Sequence, residues 1–330
     1  MTAAPIPARL RVAITGASGF LGGRLVARYA DAGASVRALV HESPANDLAA
    51  SGAEIVRVDL LSDAGLAQAL DGQDLVIHAA ARTRAHSPAA EREMVAANVS
   101  MTRNVVEASR KAGVPTLLHV GSTAGIGIAP KPDTPADETF AYNLAQLGLA
   151  YSRSKQEAEQ AALAANGDGL RVTVAHPGFV FGPHAGRYRG GDVIHRVLAR
   201  PTVVCTNGGI SIVHVDDVVD GIVRAAASEA AGERFILTGS NLSFREIAET
   251  VCRVASVRRR IITVPDVVRD LAGTVARVRA KGRAPNLALM GPYAFQYYSA
   301  NKAREALGFR TRPFEAIVAE YLDTTSARPT

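Results

Sequence analysis

Cysteine is scarce in this sequence, with Cys205 and Cys252 the two among 330 residues. Two thiols so far apart exclude a disulfide framework and offer no metal-ligand spacing, so a reducing cytoplasm is the expected setting. Long apolar runs are also missing. No stretch reaches the ~18 consecutive apolar residues of a membrane span, and the opening MTAAPIPARL has no basic region, apolar core or cleavage site of a secretory leader. Blocks of like charge are nearly absent. The net charge is +6, yet only Arg258, Arg259 and Arg260 form a run. A dispersed excess of this kind argues against nucleic acid and favours an anionic cofactor or substrate. With 48% hydrophobic and 21% charged residues, the chain is too apolar for disorder. Its length suits one large α/β domain or two lobes sharing a core.

What is present is an alternation of β-rich apolar runs with helical patterns. The runs are LRVAIT (10–15), ASVRALV (34–40), AEIVRV (53–58), DLVIHAA (74–80), TLLHVGS (116–122), LRVTVAH (170–176) and RFILT (234–238). Six or seven parallel strands are expected, buried on both faces by helices. Between the first two, Leu21, Leu25 and Tyr29 lie on one helix face, which Gly33 ends. After residue 176 the Gly- and Pro-rich HPGFVFGPHAGRYRGG reads as a loop leaving the sheet. A helix near 192–199 and a strand at TVVC follow. In VHVDDVVDGIVRAA (213–226), Asp216 is the expected N-cap of a helix whose apolar face is Val218, Val219, Ile222 and Val223. Ser243 and Glu246 have the spacing of a capping box. The expected division is a dinucleotide-binding lobe of residues 1–176 and 213–240, and a smaller substrate lobe of 177–212 and 241–330.

Three glycines stand at every third position in ITGASGFLGGRL, at Gly16, Gly19 and Gly22, where the first strand meets the first helix. A strand feeding such a turn aims the free N–H groups of the helix start at a bound diphosphate. Gly16 allows the tight turn, Gly19 the close approach of the ligand and Gly22 the close packing of the helix. At the tip of the second strand the carboxylate expected for an adenosine ribose is replaced by His41. Arg37 and His41 suit a 2′-phosphate and Glu42 suits a ribose, which leans towards NADP(H) over NAD(H).

Tyr151 and Lys155 are four apart in AYSRSKQEAEQAAL, so both face one side of a helix. A cation beside a phenol lowers its pKa, which makes Tyr151 a candidate proton donor and acceptor. The fifth strand ends in HVGSTAGIG, placing Ser122 and Thr123 at the carboxyl edge, where ligands of open α/β sheets bind. A hydroxyl there can bond a reacting carbonyl oxygen. Asn98, within MVAANVSMTRNVVEAS, is placed either to anchor a water near Lys155 or to serve as an ordinary satisfied amide.

Together these pieces resemble an extended short-chain dehydrogenase/reductase, in the branch holding NAD-dependent epimerases/dehydratases, dihydroflavonol reductases and 3β-hydroxysteroid dehydrogenases. The matching segments are TGASGFLG (15–22), VDL (58–60), HAAA (78–81), NVSMTRNVVEAS (98–109), GST (121–123), YSRSK (151–155), HPGFVFGP (176–183), VHVDDVVDGI (213–222) and SANKAREALGFRTRPFEAI (299–317). The resemblance implies a doubly wound, parallel-sheet Rossmann fold of α/β class with a smaller, mostly C-terminal substrate lobe. It implies that Gly16, Ser18, Gly19, Phe20, Leu21 and Gly22 hold the pyrophosphate, with His41 at the ribose and Asp59 and Leu60 beside the adenine. Ala79, Ala80 and Ala81 would line the cofactor, and Pro177, Gly178 and Val180 would pass the nicotinamide. Tyr151 would be the acid/base, Lys155 would tune it and bind the nicotinamide ribose, and Ser122, or else Thr123, would polarise the carbonyl. No metal is implied.

Two enzyme readings follow, a ketoreductase or alcohol dehydrogenase and a nucleotide-sugar epimerase or dehydratase. Nucleotide-sugar members often carry an arginine before the strand matching VHV, where NGGISIVHV has none, and dehydratases place acidic residues where Ala124 and Gly125 stand. These departures favour the ketoreductase. Arg187, Arg189 or Arg196 keeps a substrate phosphate in play, and a dihydroflavonol-type arginine is replaced by His41. A cofactor sensor without catalysis is the third reading. The resemblance also implies a homodimer through the helices carrying Asn98 and Tyr151, with Ala158, Ala161, Ala162, Ala164 and Ala165 allowing close approach.

Overall fold

The computed structural model describes residues 5–41, 48, 50–184, 187–279 and 294–325, so Glu42 lies outside the described residues. The elements run β1 (Arg11–Thr15), α1 (Phe20–Asp31), β2 (Ser35–Val40), β3 (Glu54–Arg57), α2 (Leu66–Leu70), β4 (Leu75–His78), α3 (Pro88–Lys111), β5 (Thr116–Val120), α4 (Ala150–Leu163) and β6 (Arg171–Pro177). They continue as β7 (Phe179–His184), β8 (Arg187–Arg189), α5 (Gly191–Leu198), β9 (Thr202–Thr206), β10 (Gly209–His214), α6 (Val215–Ala227) and β11 (Glu233–Leu237). The last are β12 (Ser240–Ser243), α7 (Phe244–Val254), β13 (Arg260–Val264), α8 (Asp266–Arg279), β14 (Phe295–Gln296), α9 (Asn301–Leu307) and α10 (Phe314–Thr325).

The seven runs expected as strands form one all-parallel sheet in the order β11-β6-β5-β4-β1-β2-β3. Apolar side chains on both faces hold it between two helical layers. Val12 and Ile14 of β1 and Leu75 and Ile77 of β4 face α1 and α6, whereas Ala13 and Val76 face α2 and α3. On α1, Leu25, Val26 and Tyr29 are buried, and Gly33 follows the helix at φ +80. Strand order reverses between β1 and β4, which opens a crevice at the carboxyl ends.

The segment expected as a loop after residue 176 is instead extended. Phe179–His184 pairs in parallel with β10 and antiparallel with β8 in a second sheet ordered β12-β10-β7-β8, with β14 also on β10. Burial outweighs the Gly and Pro content here, because Phe181 is fully enclosed and meets Phe314 edge-on. Gly190, at φ +76, is needed because a Cβ would stand 2.4 Å from the Phe181 ring. A second core of Phe181, Ile194, Ile212, Val251, Phe314 and Val318 supports this sheet.

Asp216 is not the cap of α6. His214 has the extended backbone of an N-cap and its Nδ1 accepts the Asp216 N–H at 3.2 Å, while Asp216 sits in the first helical turn and pairs with Arg24. Val218, Val219, Ile222 and Val223 are buried as expected, and Ser243 and Glu246 form the reciprocal capping box of α7. Among the described residues, no helix is long and apolar enough to cross a membrane, and no cluster of three or more His, Cys, Asp or Glu could hold a metal.

Candidate active site

The glycine loop is shaped by contacts that exclude side chains. Gly16 has φ +67, and a Cβ on it would lie 2.7 Å from the backbone N and Cα of Ala80. At Gly22 a Cβ would lie 2.1 Å from the Gly16 carbonyl oxygen, so glycine lets α1 close on the turn. Gly19 is the N-cap of α1 and donates its own N–H to Gly16 O at 2.9 Å. The first helical turn therefore presents open N–H groups to the crevice. Thr15 ties the floor together, its hydroxyl bonding His78 Nδ1 at 2.8 Å and accepting the Ala80 N–H at 3.2 Å. This cradle fits a dinucleotide pyrophosphate, with Ser18, Phe20 and Leu21 on its rim and Ala79, Ala80 and Ala81 half-buried along its side.

At the tip of β2 the side chains divide differently from expectation. Arg37 points away from the tip, pairing with Glu54 at 2.8 Å and donating to the carbonyls of Ala69 and Asp71. The exposed cation at the tip is Arg57 of β3, which donates to the His41 carbonyl at 2.9 Å. His41 Nε2 lies 3.9 Å from Asp59, whose carboxylate accepts the Leu61 N–H, and Leu60 is pinned through its carbonyl by Asn104.

Ser122 and Thr123 point to different partners. Ser122 caps a short 3-10 turn over Thr123–Gly125, its Oγ accepting the Ala124 N–H at 3.2 Å, and its side chain stands beside the Tyr151 phenol. Thr123 stands beside buried Tyr298. Ser152, next to Tyr151, donates to Ala124 O at 2.6 Å and so clamps α4 to the turn. Lys155 is buried and its ammonium donates to Val120 O at 3.1 Å. Burial pushes this amine down to about 8. The Tyr151 phenol is raised by burial and drawn partly back by Ser122. The expected lowering of the phenol by Lys155 is thus not met in this arrangement, because the ammonium is turned to the Val120 carbonyl.

Asn98 is the satisfied helix amide of the two readings. Its Oδ1 accepts the Arg82 N–H at 2.8 Å, and its Nδ2 donates to Arg82 O and to Ser154. It thereby joins α3, α4 and the segment after β4. Pro177 ends β6, and Gly178 follows without a side chain because a Cβ would lie 2.5 Å from the Thr238 hydroxyl. Val180 packs on the core below the crevice.

The model of the NAD dependent epimerase/dehydratase family matches residues 12–237. This chain belongs to that family. It is an NAD(P)-dependent oxidoreductase of the extended short-chain dehydrogenase/reductase type. It is 30% identical to a Stigmatella aurantiaca protein named 4-hydroxy-2-methyl-3-oxo-4-farnesyl-3,4-dihydroquinoline-1-oxide ketoreductase, over 92% of each chain. It is 28% identical to dihydroflavonol 4-reductase of Hordeum vulgare, over 72% of this chain and 73% of that one. Among solved structures, a nucleoside-diphosphate-sugar epimerase from Pseudomonas aeruginosa aligns with a TM-score of 0.76 at 25% identity, covering 97% and 98% of the two chains.

Some residues of this family member's crevice have no counterpart in the motifs. Arg189 crosses from β8 to lie 5.9 Å from the centre of the Phe20 ring, on the rim of the glycine loop, and His184 meets the same ring at 5.4 Å. A β7–β8 hairpin was the missing information, since the sequence there reads as loop. Arg57 was hidden in a strand whose register with Val40 is visible only in the sheet. Tyr298 lies just before the matching C-terminal segment, and nothing in its spacing pairs it with Thr123.

Proposed function

We propose that the protein is a reductase or alcohol dehydrogenase, interconverting a ketone and a secondary alcohol on a small molecule, with NADP(H) preferred. The observation that carries the reading is the Ser122–Tyr151 hydroxyl pair at the carboxyl edge of the sheet, with Thr123 beside Tyr298. When bound, the nicotinamide supplies or accepts the hydride. Ser122 donates a hydrogen bond to the substrate oxygen, and Tyr151 gives that oxygen its proton in reduction or removes it in oxidation. Lys155, its ammonium held on the Val120 carbonyl, would bind the nicotinamide ribose and so seat the cofactor beside the phenol. Gly16, Gly19 and Gly22 seat the pyrophosphate, and Arg57 with His41 receives the 2′-phosphate by charge-assisted hydrogen bonds.

Epimerisation or dehydration of a nucleotide sugar is the second reading, favoured by Arg187, Arg189 and Arg196 in the charged segment RYRGGDVIHR. Arg189 lies over the cofactor loop, which weakens its claim on a substrate phosphate. We further propose a cytoplasmic homodimer built on the outer faces of α3 and α4. Of the alanines expected at that interface, Ala158, Ala162 and Ala165 are already buried within the chain, so Ala161 and Ala164 are the ones left for it. The reading is tested by following nicotinamide absorbance with NADH and NADPH across ketones and nucleotide sugars. Net cofactor oxidation supports the reductase, and sugar conversion without it supports the second reading.

A further inference from the structure

Beneath the Ser122 turn lies a buried layer of ionisable groups that the proposed chemistry does not use. His176, near the end of β6, is fully buried. Its Nδ1 is 3.1 Å from the Ser122 carbonyl oxygen and its Nε2 is 3.2 Å from Glu159 Oε1 on α4. The same carboxylate oxygen accepts Arg234 Nη1 of β11 at 2.9 Å, and Arg234 also bonds the Glu138 carbonyl. The close approach is built into the sequence, because a Cβ at Gly121 would stand 2.7 Å from His176 Nδ1.

A backbone carbonyl can only accept, and so can a carboxylate. An imidazole with such an acceptor at each nitrogen needs a proton on both, unless the carboxyl carries one. Burial pushes Glu159 towards the protonated form, but hydrogen bonds and charges from His176 and Arg234 prevail and hold it below the ordinary range. Arg234 pairs with this same carboxylate oxygen, so the ring stands between two acceptors, the Ser122 carbonyl and the Glu159 carboxylate.

We propose that His176 is a positioning residue of this site, a buried imidazolium whose Nδ1–H locks the Ser122 peptide and so aims the Ser122 hydroxyl at Tyr151. The inference rests on the reading that the Ser122–Tyr151 pair performs the chemistry. The groups facing His176 are Glu159 from α4 and His119 from β5, with Arg234 of β11 on the same carboxylate oxygen of Glu159. His119 stays neutral through burial and the neighbouring His78, Lys155 and His176, so Glu159 supplies the counter-charge. The Ser122–Thr123 peptide starts the 3-10 turn, and fixing its carbonyl fixes the direction of the side chain that caps it.

Ring nitrogen NMR of the intact, histidine-labelled protein at about pH 7.5 is the first test, since exposed rings are then mostly neutral. One of the eight histidines should carry protons on both nitrogens, and Glu159→Gln should abolish that signal. Singly protonated rings throughout would overturn the inference. The second test compares His176→Leu with His176→Asn, which keeps a donor near the Nδ1 position. His176→Leu should lower kcat about 10- to 100-fold while NADPH affinity holds within about twofold, and His176→Asn should recover most of the loss. Wild-type kcat in His176→Leu, or equal damage in both variants, would contradict it. Should His176→Leu fail to fold, the ring spectrum still decides. Undiminished turnover in Tyr151→Phe would sink the reading of the site, and the protonation of His176 is measured independently of that result.

Discussion

In the proposed reaction, Tyr151, Ser122 and Lys155 divide the work of one proton transfer. Ser122 stands beside the phenol, burial raises it, and Lys155 waits below with its ammonium on Val120. Tyr151→Phe should therefore lose at least about a hundredfold in kcat and still bind NADPH, as read by turnover and fluorescence titration. Lys155 predicts a pH effect. Burial brings its amine to about 8, so the ammonium is present below that pH and lost above it. Reductase kcat/KM should fall as pH rises through about 8, and Lys155→Met should be slow on both sides of that point. Arg57 is the residue for cofactor choice. Arg57→Ala should weaken NADPH binding by about 10- to 100-fold, the worth of a charged hydrogen bond, and leave NADH nearly unchanged. Equal losses for both cofactors would remove Arg57 from the 2′-phosphate site.

At the scale of single elements, the glycine loop is the most constrained piece. Gly22→Ala would push a methyl group into the Gly16 carbonyl at 2.1 Å, displacing the start of α1. The variant should lose cofactor affinity and melt at a lower temperature, whereas Gly23→Ala, with its nearest contact at 3.4 Å, should do neither. The loop was legible in the sequence because Gly19 and Gly22 answer local demands within the turn, whereas the approach of Gly16 to Ala80 is seen only in the fold. The seven strands were legible for a similar reason, since alternating runs such as Val12, Ala13 and Ile14 fill both faces. β7 was not legible, because the burial of Phe181 against Phe314 joins residues far apart in the chain and overrides local Gly and Pro. The cap of α6 was misassigned to Asp216 because histidine is an uncommon cap, and its ring reaches the N–H two residues on through geometry rather than residue type. Thr123 and Tyr298 are far apart in the chain, so no local spacing pairs them.

At the scale of the whole molecule, buried histidines set the response to acid. Burial lowers His78 to about 3 and His214 to about 4, from an ordinary 6.5. Between those values and 6.5 the unfolded chain binds more protons than the native one, so stability falls as pH drops through that window. The melting temperature should start to fall near pH 6.5, before the carboxylates titrate, and a curve flat down to about 4.5 would contradict this. The proposed reduction rests on Tyr151 and Ser122 at the carboxyl edge of the parallel sheet. It is tested most directly by measuring NADPH oxidation and product together, for wild type and Tyr151→Phe, across a panel of ketones and nucleotide sugars. The wild type should oxidise one NADPH for each ketone reduced, and Tyr151→Phe should not. Conversion of a nucleotide sugar with no net NADPH oxidation, or ketone reduction that survives in Tyr151→Phe, would contradict it.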